Sequence, residues 1–356
     1  MKIGLIGLPN TGKTTIFNAL TGSNAEVASY SLTQSEPNIA VVDVIDERVD
    51  NLSDIYSPKK TVYANLNIVD FVGISNGNNK NEQMSGETVK LMKNVDALSI
   101  VLKNYMEGLE NDCSPEKDLQ NILDELLLSD LLIAEKRLEK IQWTIQRGQK
   151  TNELLIEEKI IKNIVQELNN GNSLRNVELD KVNEKIIRGF QFLTLKPVVV
   201  ILNSHEDKYG ENDAILNNIR QQYPAIEFAG KFEMELFQMD DEEEIRMFME
   251  DMGIQDSARN KLTKLSYELL GNISFFTVGD DEVRAWTIWK GCKAPEAAGT
   301  IHSDLERGYI RAECFRYDDL MEFDSAKKLR DNGKVRLEGK EYIVQDGDIL
   351  NIRFNV

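Results

Sequence analysis

Residues 2–15 read Lys-Ile-Gly-Leu-Ile-Gly-Leu-Pro-Asn-Thr-Gly-Lys-Thr-Thr, and this stretch constrains the fold more than any other part of the chain. A short apolar strand leads into a Gly-x-x-x-x-Gly-Lys-Thr loop at residues 7–14, and a helical pattern follows it. The two glycines permit backbone approaches that a side chain would block, so successive N–H groups and the next helix's N-terminus can surround a polyphosphate. A glycine-rich turn that binds nothing is the alternative, but the flanking strand and helix favour a phosphate-binding loop.

The residues of this loop are candidates for nucleotide binding: Asn10, Thr11, Gly12, Lys13, Thr14 and Thr15. Lys13 would neutralise the β- and γ-phosphates, and the Thr14 hydroxyl would bind Mg²⁺. Asp70 and Gly73 close a second apolar run in an Asp-x-x-Gly pattern, in which the carboxylate holds Mg²⁺ through water and the glycine N–H contacts the γ-phosphate. We therefore predict Lys13, Asp70 and Gly73 as the catalytic set.

A third motif concerns the nucleotide base. Asn203-Ser204-His205-Glu206 follows an apolar run, at the place where a guanine-binding protein carries Asn-Lys-x-Asp. Ser204 stands in place of the lysine, and Glu206 in place of the aspartate that clamps guanine. An acceptor displaced by a methylene no longer matches the guanine edge, so the sequence predicts a preference for adenine. The predicted nucleotide-binding set is completed by Ala229, Gly230 and Lys231.

Periodicity divides the chain into regions. Alternating β-branched and helical stretches predict a mostly parallel α/β nucleotide-binding domain over residues 1–112 and 191–273. Residues 113–190 carry apolar positions at spacings of three and four, which predicts an inserted antiparallel helical hairpin. Residues 274–356 end in two strand-like runs, at 340–344 and 349–354, so we expect a small β-rich domain.

Charge and composition limit the partners. The chain has 60 acidic and 42 basic residues and a net charge of −18, which argues against a broad basic face for nucleic acid. Cys113, Cys292 and Cys314 lack paired spacing, so we expect reduced thiols, no disulfide framework and no metal cluster. There is no room for a signal peptide before the loop and no apolar stretch of membrane-spanning length, so we expect a cytoplasmic protein without membrane contact.

Together these motifs resemble the YchF or Obg-like ATPases, P-loop proteins related to translation factors that prefer ATP over GTP. The resemblance covers nearly the whole chain and is most specific at the C-terminus, in residues 275–279, 282–287, 298–304, 311–313 and 345–348. It implies a G-domain core, a helical arm, a C-terminal TGS domain of β-grasp fold, and Mg²⁺ as cofactor. It also implies that the TGS domain and the arm contact the ribosome or RNA.

Departures from the family pattern bear on hydrolysis. Gln34 occupies the position of the switch I threonine that is expected to meet Mg²⁺, and a glutamine amide oxygen is a weaker ligand, so Gln34 joins Thr14 and Asp70 as a metal candidate with reduced strength. Three switch II glycines are replaced, by Asn81, Gln83 and Ser85. The sequence thus predicts slow ATP hydrolysis, with a nucleotide-responsive binding module or a true GTPase as alternatives.

Asn10 is the candidate for a second cation. In related proteins an asparagine before x-Gly-Lys can help bind a monovalent cation such as K⁺ near the phosphates. A polar turn residue explains Asn10 equally well. Both interpretations stay open from sequence.

Overall fold

The computed structural model describes residues 1–22, 37–71, 86–106, 113–177, 180–236, 239, 241–251, 253–254 and 256–355. These residues form two compact units. The first comprises residues 1–40 and 67–259, and the second comprises residues 41–66 and 260–356. In the part of the chain that is described, no helix combines the length and apolarity that a membrane span requires.

The secondary structure alternates strands and helices before residue 240 and becomes richer in strands near the C-terminus. The strands are β1 (Lys2–Ile6), β2 (Asn38–Val44), β3 (Lys60–Val62), β4 (Ala64–Asp70), β5 (Ala97–Asn104), β6 (Val198–Ser204), β7 (Ala225–Phe228), β8 (Asn272–Thr277), β9 (Glu282–Trp289), β10 (Tyr309–Arg316), β11 (Arg336–Glu338) and β12 (Asp348–Phe354). The helices are α1 (Lys13–Thr21), α2 (Glu47–Tyr56), α3 (Gly86–Lys93), α4 (Pro115–Gln146), α5 (Asn152–Asn169), α6 (Lys181–Ile187), α7 (Asp213–Arg220), α8 (Gly230–Leu236), α9 (Glu242–Asp251), α10 (Ala258–Leu269), α11 (Ala294–Ile301), α12 (Ser303–Arg307), α13 (Tyr317–Phe323) and α14 (Ala326–Asp331).

One six-stranded sheet, in the order β2-β4-β1-β5-β6-β7, carries the predicted nucleotide-binding motifs. The pairs β1–β4, β1–β5, β5–β6 and β6–β7 are parallel. Every residue of β6 is buried, which explains why its sequence is a continuous apolar run rather than an alternating one. Because parallel strands end at the same edge, the ends of β1, β4, β6 and β7 converge there. The predicted α/β class is confirmed.

The helical hairpin is formed by α4 and α5. Helix α4 starts with Pro115 directly after Ser114, and the chain reverses at Gly148, whose φ of 86° favours glycine. Thr151 then caps α5 by accepting a hydrogen bond from the Leu154 N–H at 3.3 Å. The buried seam between the helices includes the apolar side chains of Ala134, Ile141, Ile161, Ile164 and Leu168. The periodicity therefore predicted this element correctly.

The second unit is built on a sheet in the order β11-β10-β12-β8-β9-β3. Its core packs β8, β9, β10 and β12 against α11, with Phe275, Ala298 and Leu350 buried. The predicted strand at 340–344 is wrong: among these residues only an isolated bridge forms, between Ile343 and Lys293. The reason is a turn held by Asp348, whose Oδ2 accepts hydrogen bonds from the Tyr342 hydroxyl at 2.7 Å and the Gln345 N–H at 2.8 Å.

The second unit also includes residues from early in the chain. Strand β3 pairs in parallel with β9, matching Thr61 with Val283. Arg48 forms salt bridges with Asp46 and Asp346, both at 2.7 Å. The segment 41–66 therefore packs with the C-terminal region, although the sequence-based boundaries assign it to residues 1–112. The domain boundaries otherwise remain a prediction.

Candidate nucleotide-binding site

The phosphate-binding loop connects β1 to α1, and its two glycines are required by close packing. Gly12 has a φ of 82° and stands at the N-cap of α1, with its carbonyl accepting from the Ile16 N–H at 2.9 Å. A Cβ on Gly12 would lie 2.3 Å from the Asn203 Nδ2 atom. At Gly7 a Cβ would lie 2.5 Å from the Val101 carbonyl oxygen. Any side chain at either position would displace the backbone of the loop or its neighbours.

Lys13 folds back over this loop. Its Nζ donates hydrogen bonds to the carbonyl oxygens of Gly7 at 2.8 Å and Leu8 at 2.9 Å. Burial lowers the pKa of Lys13 to about 8, and the nearby negative charge of Asp70 partly opposes that shift. Among the described residues, the ammonium group thus donates hydrogen bonds only to carbonyl oxygens. A polyphosphate in the loop would supply the anionic oxygens that it lacks.

Thr14 and Asp70 meet where the prediction places a metal. The Thr14 hydroxyl donates to Asp70 Oδ2 at 3.0 Å, and Asp70 is fully buried at the end of β4. Burial raises the pKa of Asp70, whereas the Thr14 hydrogen bond, the charge of Lys13 and the nearby Asn38 side chain lower it. Asp70 Oδ1 is buried and has no hydrogen-bond partner among the described residues. A hydroxyl oxygen beside a buried carboxylate oxygen without a partner fits the oxygen ligands that Mg²⁺ takes.

Asn203 braces the site from the end of β6. Its Nδ2 donates to the Thr11 carbonyl at 2.9 Å, and its Oδ1 accepts from the Gly230 N–H at 3.1 Å. Both ends of the amide are thus engaged, and Asn203 is buried. The side chain therefore joins the phosphate-binding loop to the start of α8, a positioning role that the sequence motif alone did not indicate.

Ser204 and Glu206 differ in their surroundings. Ser204 is buried, and its Oγ accepts hydrogen bonds from the Asn104 amide at 3.0 Å and the Asn212 amide at 3.3 Å. Asn212 also donates to Glu227 at 2.6 Å. Glu206 is half-buried in the short 3-10 turn Glu206–Lys208. The sequence analysis did not predict that Asn104, Asn212 and Glu227 form a polar network around Ser204. The position of Asn104 at the end of a buried strand, at the same edge of the sheet, was the available signal.

The remaining predicted residues fall into three groups. Ala229 and Gly230 are buried, whereas Lys231 is exposed. Thr11 is buried with its hydroxyl bonded to the Leu8 carbonyl at 3.0 Å, and Thr15 is half-buried. Asn10 is exposed, with a φ of 60° and its carbonyl accepting from the Tyr105 hydroxyl at 3.1 Å. Five residues named in the sequence-based predictions lie outside the described part of the chain: Gln34, Gly73, Asn81, Gln83 and Ser85.

Comparison with known proteins places this site in a family. Residues 2–137 match a family model described as a 50S ribosome-binding GTPase, and residues 272–355 match the YchF-GTPase_C model, described as a protein of unknown function. The chain is 38% identical to the ribosome-binding ATPase YchF of Bacillus subtilis over the full length of both chains. The chain belongs to the YchF family.

Other members extend the comparison. The ribosome-binding ATPase YchF of Escherichia coli O157:H7 is 34% identical, with 100% of this chain and 99% of that protein covered. The solved structure of the Schizosaccharomyces pombe YchF GTPase is similar to this structure, with a TM-score of 0.86 and 32% sequence identity. The alignment covers 99% of this chain and 97% of the S. pombe chain. The family resemblance predicted from motifs is confirmed. The predicted nucleotide-binding domain and separate C-terminal domain are confirmed too, and the TGS identity of the C-terminal domain stays a prediction.

Proposed function

We propose that this YchF protein is a Mg²⁺-dependent ATPase of low turnover that prefers ATP over GTP and contacts the ribosome. The observation that carries the proposal is the juxtaposition of Lys13 with the hydrogen-bonded pair Thr14 and Asp70. The relatives named above as ribosome-binding ATPases support both the activity and the partner. We further expect the cytoplasmic location that such a partner requires.

The residues would divide the work as follows. Bound Mg²⁺ would supply positive charge to the phosphate oxygens. Thr14 and Asp70 would hold that ion, and Lys13 would donate hydrogen bonds to the β- and γ-phosphates in place of the loop carbonyls. Gln34 and Gly73 are proposed to complete the metal and γ-phosphate contacts, and Asn10 to hold K⁺. With Gln34 replacing a threonine, we expect single-turnover hydrolysis of about 10⁻³ s⁻¹, as in unassisted switch proteins.

Preference for ATP would follow from the base-side residues. Ser204 receives two amide hydrogen bonds and offers no ammonium group to stack along the base. Glu206 is one methylene longer than the aspartate that pairs with guanine, and Asn203 is committed to bracing the loop. Loss of a paired hydrogen bond at such a site disfavours guanine.

Calorimetric titration with ATP and GTP tests this preference. The parent protein should bind ATP more tightly, and the double variant Ser204→Lys, Glu206→Asp should shift the preference toward GTP. Asp207→Asn, which changes an exposed carboxylate in the same turn, is the matched control and should leave the ratio unchanged. An unaltered ATP-to-GTP ratio in the double variant would refute this account. ATP binding without hydrolysis, with or without ribosomes and K⁺, would favour the binding-module alternative.

For the ribosome contact we propose the C-terminal domain, in the TGS role that the resemblance implies, and the tip of the helical arm. At the tip Trp143 is 53% exposed, and the Arg147 guanidinium lies 3.5 Å from the centre of its ring. An exposed indole with a stacked cation suits nucleic-acid bases and phosphates. The variant Trp143→Ala, Arg147→Ala should weaken co-sedimentation with ribosomes. Leu132→Ala changes a similarly exposed apolar residue that lies earlier in α4 and away from the tip, and it should leave co-sedimentation unchanged.

A further inference from the structure

A polar cavity of about 180 Å³ lies in the first unit, at the base of the helical arm. It is bounded by α4, by the turn after α5, and by the residues that follow α7. Its lining includes Asp124, Arg175, Asn176, Gln222 and Tyr223. None of these belongs to the nucleotide-binding set, so the cavity is separate from the site described above.

The Arg175 guanidinium is the chemically unusual group of this cavity. Its Nε donates to the Lys196 carbonyl at 3.1 Å, and its Cζ lies 5.6 Å from the centre of the Tyr223 ring. Nη1 and Nη2 are buried, and neither has a partner within hydrogen-bond geometry among the described residues. Burial lowers the pKa of Arg175, and the nearby Tyr223 side chain and the charge of Asp130 partly oppose that shift. Buried donors of a charged group are costly to leave without acceptors, so these two nitrogens could accept an anion as a hydrogen-bond partner.

Asp130 is a buried carboxylate whose charge acts on Arg175, but it is bonded to other groups. Asp130 accepts from the Leu193 N–H at 2.9 Å, and from the N–H and hydroxyl of Thr194, both at 2.7 Å. These donors occupy both of its oxygens. Asp124, in the cavity lining, accepts from the Gln120 amide at 2.7 Å. Neither carboxylate accepts a hydrogen bond from Arg175 among the described residues.

We propose that this cavity binds a small oxyanion, a carboxylate or phosphate group that accepts hydrogen bonds from the guanidinium of Arg175. A guanidinium presents its N–H groups in a planar fork that matches two oxygens of such an anion. Asn176, Gln222 and Tyr223 line the same space and add neutral donors. The carboxylate of Asp124 in the lining disfavours highly charged ligands, so a singly or doubly charged group suits the cavity better than a polyphosphate chain.

Thermal unfolding and calorimetry with inorganic phosphate and with malonate test this site. The full-length protein should show a saturable rise in melting temperature with at least one anion. Arg175→Met should weaken that binding at least tenfold, while Arg188→Met, which removes an exposed arginine outside the cavity lining, should retain it. Binding of phosphate by the P-loop should be the same in both variants. The difference in anion affinity between them therefore reports binding in the cavity alone.

Gln222→Ala provides a second variant at the rim, should Arg175→Met fold poorly, and it should weaken binding measurably. A response to phosphate alone would identify a tetrahedral oxyanion, and a response to malonate alone a carboxylate. Absence of saturable binding for both anions would overturn the proposal, because the cavity would then hold only water. Equal affinity in Arg175→Met and the parent would overturn it as well.

Discussion

Replacing Asn203 with alanine should reduce ATP affinity by disordering the phosphate-binding loop rather than by removing a base contact. The amide of Asn203 makes two hydrogen bonds, to the Thr11 carbonyl and from the Gly230 N–H. Each is worth about 1 kcal/mol net, and more if its partner is left buried without a replacement. We therefore expect Asn203→Ala to destabilise the first unit by about 2–4 kcal/mol.

The effect on binding follows from the same contacts. If Asn203 must hold the loop in place for it to receive phosphates, ATP binding to the variant has to order the loop as well. This would weaken the binding free energy by up to about 2 kcal/mol, equivalent to an increase of about 30-fold in the ATP dissociation constant. ATP and ADP should lose similar affinity, because both use the loop. Calorimetric titration gives the affinities, and urea denaturation gives the stability.

Thr194→Val is the matched control for this experiment. It removes one buried hydrogen bond to Asp130 in the same unit, which costs about 1.5–3 kcal/mol for a charged acceptor. Its stability loss should be comparable, but its ATP affinity should stay unchanged. Asn203→Ala with reduced stability and an affinity within twofold of the parent would refute the bracing role.

Two further predictions concern the phosphates and the thiols. Lys13→Ala should abolish ATP binding, and Thr14→Ala should mainly weaken the Mg²⁺-dependent part, both measured by titration with and without Mg²⁺; normal ATP affinity in Lys13→Ala would contradict the loop assignment. Cys292 and Cys314 are fully buried, and burial raises the pKa of each thiol to about 12, so at pH 8 iodoacetamide should label the half-buried Cys113 first and label all three only in urea. Equal labelling rates in the native protein would contradict that burial.

The features predicted correctly from sequence are those specified by neighbouring residues. The phosphate-binding loop depends on glycines five residues apart, and the helical hairpin on an apolar repeat that a helix alone can align. The site residues Lys13, Thr14 and Asp70 converge because parallel strands end at one edge of the sheet. These relations can be deduced before any tertiary contact is known.

Features that depend on distant partners could not be deduced in this way. The apolar run at 340–344 has strand-like composition, yet Asp348 draws Tyr342 and Gln345 into a turn. The base contact predicted for Asn203 from its local motif stays a prediction, but its bracing role could not be deduced, because it depends on Gly230, which is 27 residues away. Side chains from elsewhere in the fold form both contacts.

The segment 41–66 is the clearest case, and it changes how the C-terminal region can be tested. Nothing in Lys60–Val62 indicates a partner at Glu282–Trp289, more than 200 residues later, because both are short and ordinary strands. Deleting residues 275–356 would leave β3 without the strand that satisfies its backbone, and Arg48 without Asp346. A loss of ribosome binding after such a deletion would therefore mix the removal of a contact surface with damage to residues 41–66. Point substitutions on exposed side chains, such as those at the tip of the arm, separate the two effects.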